Sequence, residues 1–145
     1  MLIQHILHRK GGDVATIGPA ATVAAAIVQL RERNIGALVV TDGDDVVGIL
    51  SERDIVRALA GDEAGGGVLD RPVAALMTTV VATCGPRATA DELMGMMTER
   101  RIRHVPVVDD GTLIGIVSIG DVVKSRIDEL QTEAETLHDY LASGR

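Results

Sequence analysis

Gly18-Pro19 reappears as Gly85-Pro86, and the offset of 67 residues then runs on without a gap. Thr22 meets Thr89, Arg33 meets Arg100, Ile35 meets Ile102 and Asp42 meets Asp109. Further along, Gly48 meets Gly115, Ser51 meets Ser118 and Asp54 meets Asp121. From Gly18 to Ala58, 14 of 41 positions are identical between the copies, against roughly 7% for unrelated segments of ordinary composition. A chain written this way folds the same way twice and must then cover the apolar face that each copy leaves over. Two copies are too few for a solenoid, which needs about three or more to bury its faces. A pseudo-twofold pair is the economical alternative.

Each copy reads as the same run of elements. Val14–Ile17 is a short β-like segment ended by Gly18-Pro19, and Val80–Thr83 before Gly85-Pro86 is its counterpart. Thr22 is placed to cap a helix whose apolar positions Val23, Ile27 and Leu30 keep helical spacing. Thr89 opens the matching helix, with Leu93, Met94 and Met97 on its apolar face and Glu92 at the position of a capping box. Ala37–Thr41 and Val46–Leu50 are apolar β-rich runs joined by a hairpin turn. Val105–Val108 and Leu113–Val117 repeat them, and helices follow from about Glu52 and about Ile119. The predicted unit is β-α-β-β-α, twice, an α/β (α+β) fold with a C-terminal helix.

The expected organisation is an N-terminal helix and linker (1–12), a first repeat (13–60), a linker with a short helix (61–79), a second repeat (80–126) and a helical extension (127–145). Pro72 to Met77 is read as a short helix leading into the second copy, and Met1 to Arg9 as its equivalent for the first. Gly65-Gly66-Gly67 reads as a flexible linker: no Gly-Lys-Ser/Thr follows it and no strand feeds it, as a phosphate loop requires.

Composition narrows the function classes. The chain is 46% hydrophobic and 24% charged, which is globular and not disordered. Its net charge of −7 argues against broad binding to nucleic acid or an anionic membrane, although a local basic pocket remains allowed. There is no Trp and no Phe, and Tyr140 is the only aromatic residue. Aromatic stacking platforms for single-stranded nucleic acid are therefore excluded. Cys84 is the only cysteine, so no internal disulfide or cysteine-based metal cluster forms, and its reading is a small packing residue. The apolar run at the start is too short for a signal peptide, and no later segment approaches the ~20 apolar residues of a membrane span. The expectation is a soluble cytoplasmic protein. His5 and His8 share a helix face but lack a third ligand. No Ser-His-Asp, Cys-His or paired-carboxylate arrangement is present, which argues against an enzyme and against a catalytic cofactor.

The repeated residues hardest to explain by packing lie in Gly48-Ile49-Leu50-Ser51-Glu52-Arg53-Asp54 and Gly115-Ile116-Val117-Ser118-Ile119-Gly120-Asp121. Each Ser sits where a strand becomes a helix and each Asp lies in that helix's first turn. Two readings stand. Ser and Asp can simply cap the helix, or Asp can accept hydrogen bonds from a ribose diol while Ser and the helix N-terminus face a phosphate.

Together with Ile35-Gly36-Ala37-Leu38-Val39-Val40-Thr41-Asp42 and Ile102-Arg103-His104-Val105-Pro106-Val107-Val108-Asp109, these stretches resemble a tandem pair of CBS domains, the modules named after cystathionine β-synthase. The similarity runs from about Gly11 to Arg126. Lys10-Gly11-Gly12-Asp13-Val14 further resembles the opening of small stand-alone bacterial CBS pairs and related plant organellar proteins. The resemblance implies a pseudo-twofold module with two clefts between the repeats, taking adenosine ligands: AMP, ADP, ATP, S-adenosylmethionine or NAD(H). It implies that Ser51 and Asp54 serve one cleft and Ser118 and Asp121 the other. Adenine is then gripped from the opposite copy, by Asp13, Ala15, Ile35 and Gly36 for the Ser118/Asp121 cleft and by Val80, Ala82 and Ile102 for the Ser51/Asp54 cleft. Aliphatic walls and backbone would hold a purine without aromatic residues.

The resemblance also places a basic phosphate ligand at Arg103-His104, where the first copy has the uncharged pair Gly36-Ala37; the first copy instead offers Arg53. On that basis the Ser118/Asp121 cleft is expected to bind phosphorylated adenosine more tightly. The competing reading treats Arg100, Arg101 and Arg103 as a solvated helix end favoured by the dipole.

The C-terminal helix carries Val123, Ile127, Leu130, Ala134, Leu137 and Leu141 at alternating steps of 4 and 3, a heptad seam. It either packs on its own domain or forms a dimer contact; CBS pairs usually dimerise through helices. The expected function is a ligand-sensing regulatory module, likewise homodimeric, that acts in trans on an unidentified protein. The alternatives are an NAD(H) or S-adenosylmethionine sensor and a purely structural or interaction module with empty clefts.

Overall fold

The computed structural model describes residues 1–11, 13–61, 67–79 and 82–144. Elements follow in the order α1 (Ile3–Lys10), β1 (Thr16–Ile17), α2 (Val23–Arg33), β2 (Ala37–Asp42), β3 (Asp45–Ser51), α3 (Glu52–Gly61), α4 (Val73–Leu76), α5 (Ala90–Arg100), β4 (His104–Asp109), β5 (Thr112–Ser118) and α6 (Ile119–Ser143). A single 3₁₀ turn at Val68–Asp70 precedes α4. The repeat is therefore a repeat of structure. β2 and β3 pair antiparallel, as do β4 and β5, and each hairpin shifts register at the same place, after Val40 and after Val107. β1 runs parallel beside β2. In the second copy, among the described residues, Cys84 forms the corresponding parallel bridge to Val107. The first half of the expected 80–83 strand lies outside the described residues.

Local chemistry accounts for the element ends. Thr22 and Thr89 cap α2 and α5, their hydroxyls accepting from Ala25 N–H and Glu92 N–H at 3.1 Å each. The expected box at Thr89 is only half made, because Glu92 returns no bond among the described residues. The complete boxes stand elsewhere, at Ser51/Asp54 and Ser118/Asp121. The second hairpin turns on Asp110 (φ 50°) and Gly111 (φ 79°), the positive angles that a two-residue turn needs to match the strand twist.

The cores show how the copies are joined. Val23, Leu30, Leu38, Val40 and Leu50 build one core, and Val68 and Val73 from the segment between the copies complete it. Leu93, Met97, Val105, Val107 and Val117 build the other, completed by Ile3, Ile6 and Leu7 of α1. Each leading segment thus packs on the opposite copy from the one it introduces, which sequence spacing alone did not show. Ile3 N–H donates to the Ala88 carbonyl at 2.8 Å and Val73 N–H to the Ala21 carbonyl at 2.7 Å, equivalent bonds on equivalent residues.

The repeated glycines of the motif serve this crossing. A β-carbon at Gly115 would lie 2.6 Å from a Leu7 methyl, and one at Gly48 would lie 2.7 Å from Met77 Sδ and 2.8 Å from the Thr78 carbonyl. Thr78 also exchanges two backbone bonds with Ile49, at 2.9 and 3.0 Å.

The seam of α6 does not pack on its own domain. Val122 and Ser125 face inward, whereas Val123, Ile127, Leu130, Leu137 and Leu141 are 41–67% exposed. The helix is continuous through residues 126 and 127, and among the described residues no helix is long and apolar enough to cross a membrane.

Overpacking a tight core contact costs about 1–3 kcal/mol. Gly48→Ala should lose an amount in that range by denaturant unfolding, and Gly115→Ala less, because a Leu7 methyl can turn aside and a backbone carbonyl cannot. Negligible losses would show that the close approach is not a constraint, and equal losses that the Thr78 carbonyl is no less yielding than the Leu7 methyl.

Candidate functional site

Both Ser-x-x-Asp motifs sit where a strand passes into a helix. At the start of α3, Ser51 N–H donates to Asp54 Oδ2 at 2.9 Å, Ser51 Oγ donates to the same oxygen at 3.0 Å, and Asp54 N–H donates to Ser51 Oγ at 3.3 Å. At the start of α6, Ser118 N–H donates to Asp121 Oδ2 at 2.9 Å and Asp121 N–H to Ser118 Oγ at 3.1 Å. The capping reading of these residues is thus correct for both copies, and it leaves the carboxylates at the mouths of two clefts.

The clefts are not alike. One of about 310 Å³, within the roughly 300–1,000 Å³ of small-molecule sites, runs between the repeats. Ser51, Arg53 and Asp54 line it from the first copy; Ala82, Ile102, Arg103 and His104 line it from the second. Glu52, Arg57, Arg101, Ile49, Thr78 and Gly36 complete its wall. The smaller cleft, about 170 Å³, lies between α1 and α6 on the second copy, lined by Asp121 with Ile6, Arg9, Lys10, Lys124 and Ser125 and by no described residue of the first repeat.

Arg103 and His104 therefore belong to the Ser51/Asp54 cleft, and the expectation that they favour the Ser118/Asp121 cleft is corrected. The start of a hairpin faces the helix N-terminus of the opposite copy, the same crossing that brings Ile102 and Ala82 to this cleft. Gly36 joins them: a β-carbon there would meet His104 Nε2 at 3.7 Å. Ser118, Asp13, Ala15 and Ile35 line neither cleft, so of the expected second site only Asp121 faces the smaller one. Ala15 is buried, its carbonyl accepting Val39 N–H at 3.1 Å, Ile35 packs against the first core and Asp13 is exposed. Val80 lies outside the described residues.

Charge separates the clefts further. Among the described residues, Arg53, Arg57, Arg101 and Arg103 form no ion pair, while Lys10 Nζ contacts Asp121 Oδ2 at 2.7 Å and the Ile116 carbonyl at 2.8 Å. Arg9 pairs with Asp128 at 2.8 Å. The cations near Asp121 are thus largely satisfied within the chain, and those near Asp54 are not. Nothing basic lies between Arg71 and Arg87, so the segment leading into the second copy has no counterpart of Lys10.

The ionisable groups register this arrangement. Burial pushes the Asp121 carboxyl up, but the bonds from Lys10 and Ser118 outweigh it and hold it below the usual carboxylate range. His104 is held below its ordinary value, first by burial and then by Lys10 and Arg103, with Asp121 and Glu52 opposing. Burial pushes the Cys84 thiol up to about 11, which makes it a poor nucleophile. Among the described residues no group of three or more His, Cys, Asp and Glu side chains is placed to hold a metal.

Sequence reasoning missed Arg57 and Lys10. Arg57 follows Arg53 by one helical turn, a spacing that was legible. Lys10 carried no local signal, since its partner is 111 residues away.

Fold and site together define a pseudo-symmetric two-repeat module with one ligand-sized cleft between its copies. The CBS domain family model matches residues 4–61 and again 73–128, and the chain belongs to that family. The mitochondrial CBS domain-containing protein CBSX3 of Arabidopsis thaliana is 35% identical over 128 residues, 85% of this chain; the chain spans 61% of that protein's length. The CBS-domain containing protein ATU1752 of Agrobacterium tumefaciens superposes with a TM-score of 0.83 at 46% identity, covering 87% of this chain and 99% of the other. The CBS domain pair of protein MJ0100, in complex with 5′-methylthioadenosine and S-adenosyl-L-methionine, gives 0.77 at 27%, over 89% and 98%. CBS domain protein PAE2072 of Pyrobaculum aerophilum, complexed with AMP, gives 0.72 at 27%, over 83% and 89%.

A histidine held below its ordinary pKa takes up a proton less readily folded than unfolded. Its stabilising contribution is full above about pH 6.5 and is lost as pH falls through the lower folded value. The melting temperature of the ligand-free protein should drop as pH falls below about 6.5, and His104→Gln should flatten that drop. Parallel slopes for the two proteins would contradict the burial of a neutral His104.

Proposed function

We propose that this chain is a non-catalytic, adenine-nucleotide-sensing regulatory module whose working site is the Ser51/Asp54 cleft. The observation that carries the reading is one cleft holding a ribose-type acceptor, a helix N-terminus and unpaired arginines from both copies. Asp54 offers carboxylate oxygen to a diol, the first turn of α3 and Arg53 favour an anion, and Ile49, Ile102 and Ala82 supply apolar wall for a purine. AMP and S-adenosyl-L-methionine in the related structures support an adenosine-type ligand. In this proposal the Ser118/Asp121 cleft is closed by Lys10 in the resting state. A nucleotide tying residues of both copies together would favour one arrangement of the halves, by as much as its affinity differs between arrangements. A separate protein would read the result in trans. The exposed apolar positions of α6, together with the equivalent Val56 of α3 (62% exposed), are assigned to a second copy of the chain.

The capping bonds support a second reading, an interaction module whose Ser and Asp serve only the helices. Thermal shift and calorimetry with AMP, ADP, ATP, NADH and S-adenosylmethionine separate the two. The proposal expects an adenine nucleotide to raise the melting temperature. Asp54→Ala should abolish that rise, and Asp121→Ala should keep it while losing about 1 kcal/mol of stability through its cap. Binding of none of the five at millimolar concentration would leave only the interaction module. Preference for NADH or S-adenosylmethionine over AMP would reassign the ligand.

A further inference from the structure

We propose that Arg101 and Arg57 form a polyphosphate subsite, so that the Ser51/Asp54 cleft prefers nucleoside di- and triphosphates to the monophosphate. The inference rests on reading this cleft as a nucleotide site. Its starting point is backbone strain. Arg101 closes α5 with φ 55° and ψ 42°, the left-handed region that a residue with a β-carbon adopts reluctantly. The equivalent residue of the first copy is Asn34, at φ 51° and ψ 51°. Asparagine and glycine are the usual occupants of such a helix end, because a short polar side chain or none eases the conformation. Arginine has no such advantage, yet the second copy carries one, and it lines the cleft. An unfavourable residue that lines a site points to a role in that site.

Arg57 supplies the second observation. It stands one turn beyond Arg53 on α3, and both line the same cleft; their equivalents in the second copy are Lys124 and Gly120. The cleft thus gathers four guanidinium groups against the carboxylates of Glu52 and Asp54, and among the described residues none of the four is in an ion pair. This happens in a chain with 21 acidic residues and a net charge of −7, where an unpaired arginine cluster is not a consequence of composition. One phosphate is served by the α3 N-terminus with Arg53 and Arg103. Arg57 and Arg101 are cations beyond that need, and they match the added charge of a second and third phosphate.

Calorimetry with AMP, ADP and ATP in magnesium-free buffer tests this on the full chain. The wild type should bind ADP or ATP at least about tenfold more tightly than AMP. Arg101→Asn, which restores the residue of the first copy, should reduce that ratio to about threefold or less, leave AMP affinity within about twofold, and not lower the melting temperature. Arg57→Gln should reduce the ratio likewise, and Arg100→Asn, which removes the same charge one residue away, should not. AMP binding as tight as ATP binding in the wild type overturns the subsite while leaving the nucleotide site standing. So does a ratio unchanged by Arg101→Asn and Arg57→Gln, or one that Arg100→Asn lowers equally. Binding of no nucleotide at all overturns both.

Discussion

The close approach of each leading segment to the opposite copy's hairpin holds the arrangement together. Leu7 lies over Gly115 and Met77 over Gly48, at distances that a β-carbon would close off. Neither copy has a complete core of its own: one is finished by Val68 and Val73, the other by Ile3, Ile6 and Leu7. Small domains bury too little surface to be robust alone, and exchanging these segments makes two marginal cores into one interlocked unit. The larger cleft follows, because the same crossing sets the start of the second hairpin against the helix N-terminus of the first copy.

From this symmetric frame the chain builds an asymmetric pair of sites. Both Asp residues cap a helix in the same way, so the difference comes from what surrounds them. Lys10, at the end of α1, reaches Asp121 because α1 packs on the second copy. Its ion pair is partly exposed and of modest energy, as such pairs are, so it acts by occupying the carboxylate and not by stabilising the fold. On the other side, arginines from α3, from the end of α5 and from just before β4 form no ion pair among the described residues. Duplicated sequence has yielded one satisfied cleft and one that is not.

Much of the fold was legible because its signals are local. The 67-residue offset, the apolar hairpin runs and the Thr and Ser caps each depend on neighbours within a few residues. What stayed hidden depends on how the copies meet. Arg103 was placed at the wrong cleft although the rule applied to Ile102 would have placed it correctly. The exchange of leading segments had no local mark, nor did the pairing of Lys10 with Asp121. The heptad seam of α6 was read correctly as apolar, but periodicity does not say what covers it; Val122 and Ser125, one face over, make the contact with the domain. Arg101 was readable only as a helix-end charge until its positive φ and its place in the cleft were known.

In the proposed function the two clefts differ, one open to an adenine nucleotide and one closed by Lys10. Binding stoichiometry tests this most directly, measured by native mass spectrometry across a titration with ADP. One nucleotide per chain is expected at saturation, with a second appearing only in Lys10→Met. Two nucleotides bound per wild-type chain with equal affinity would contradict it.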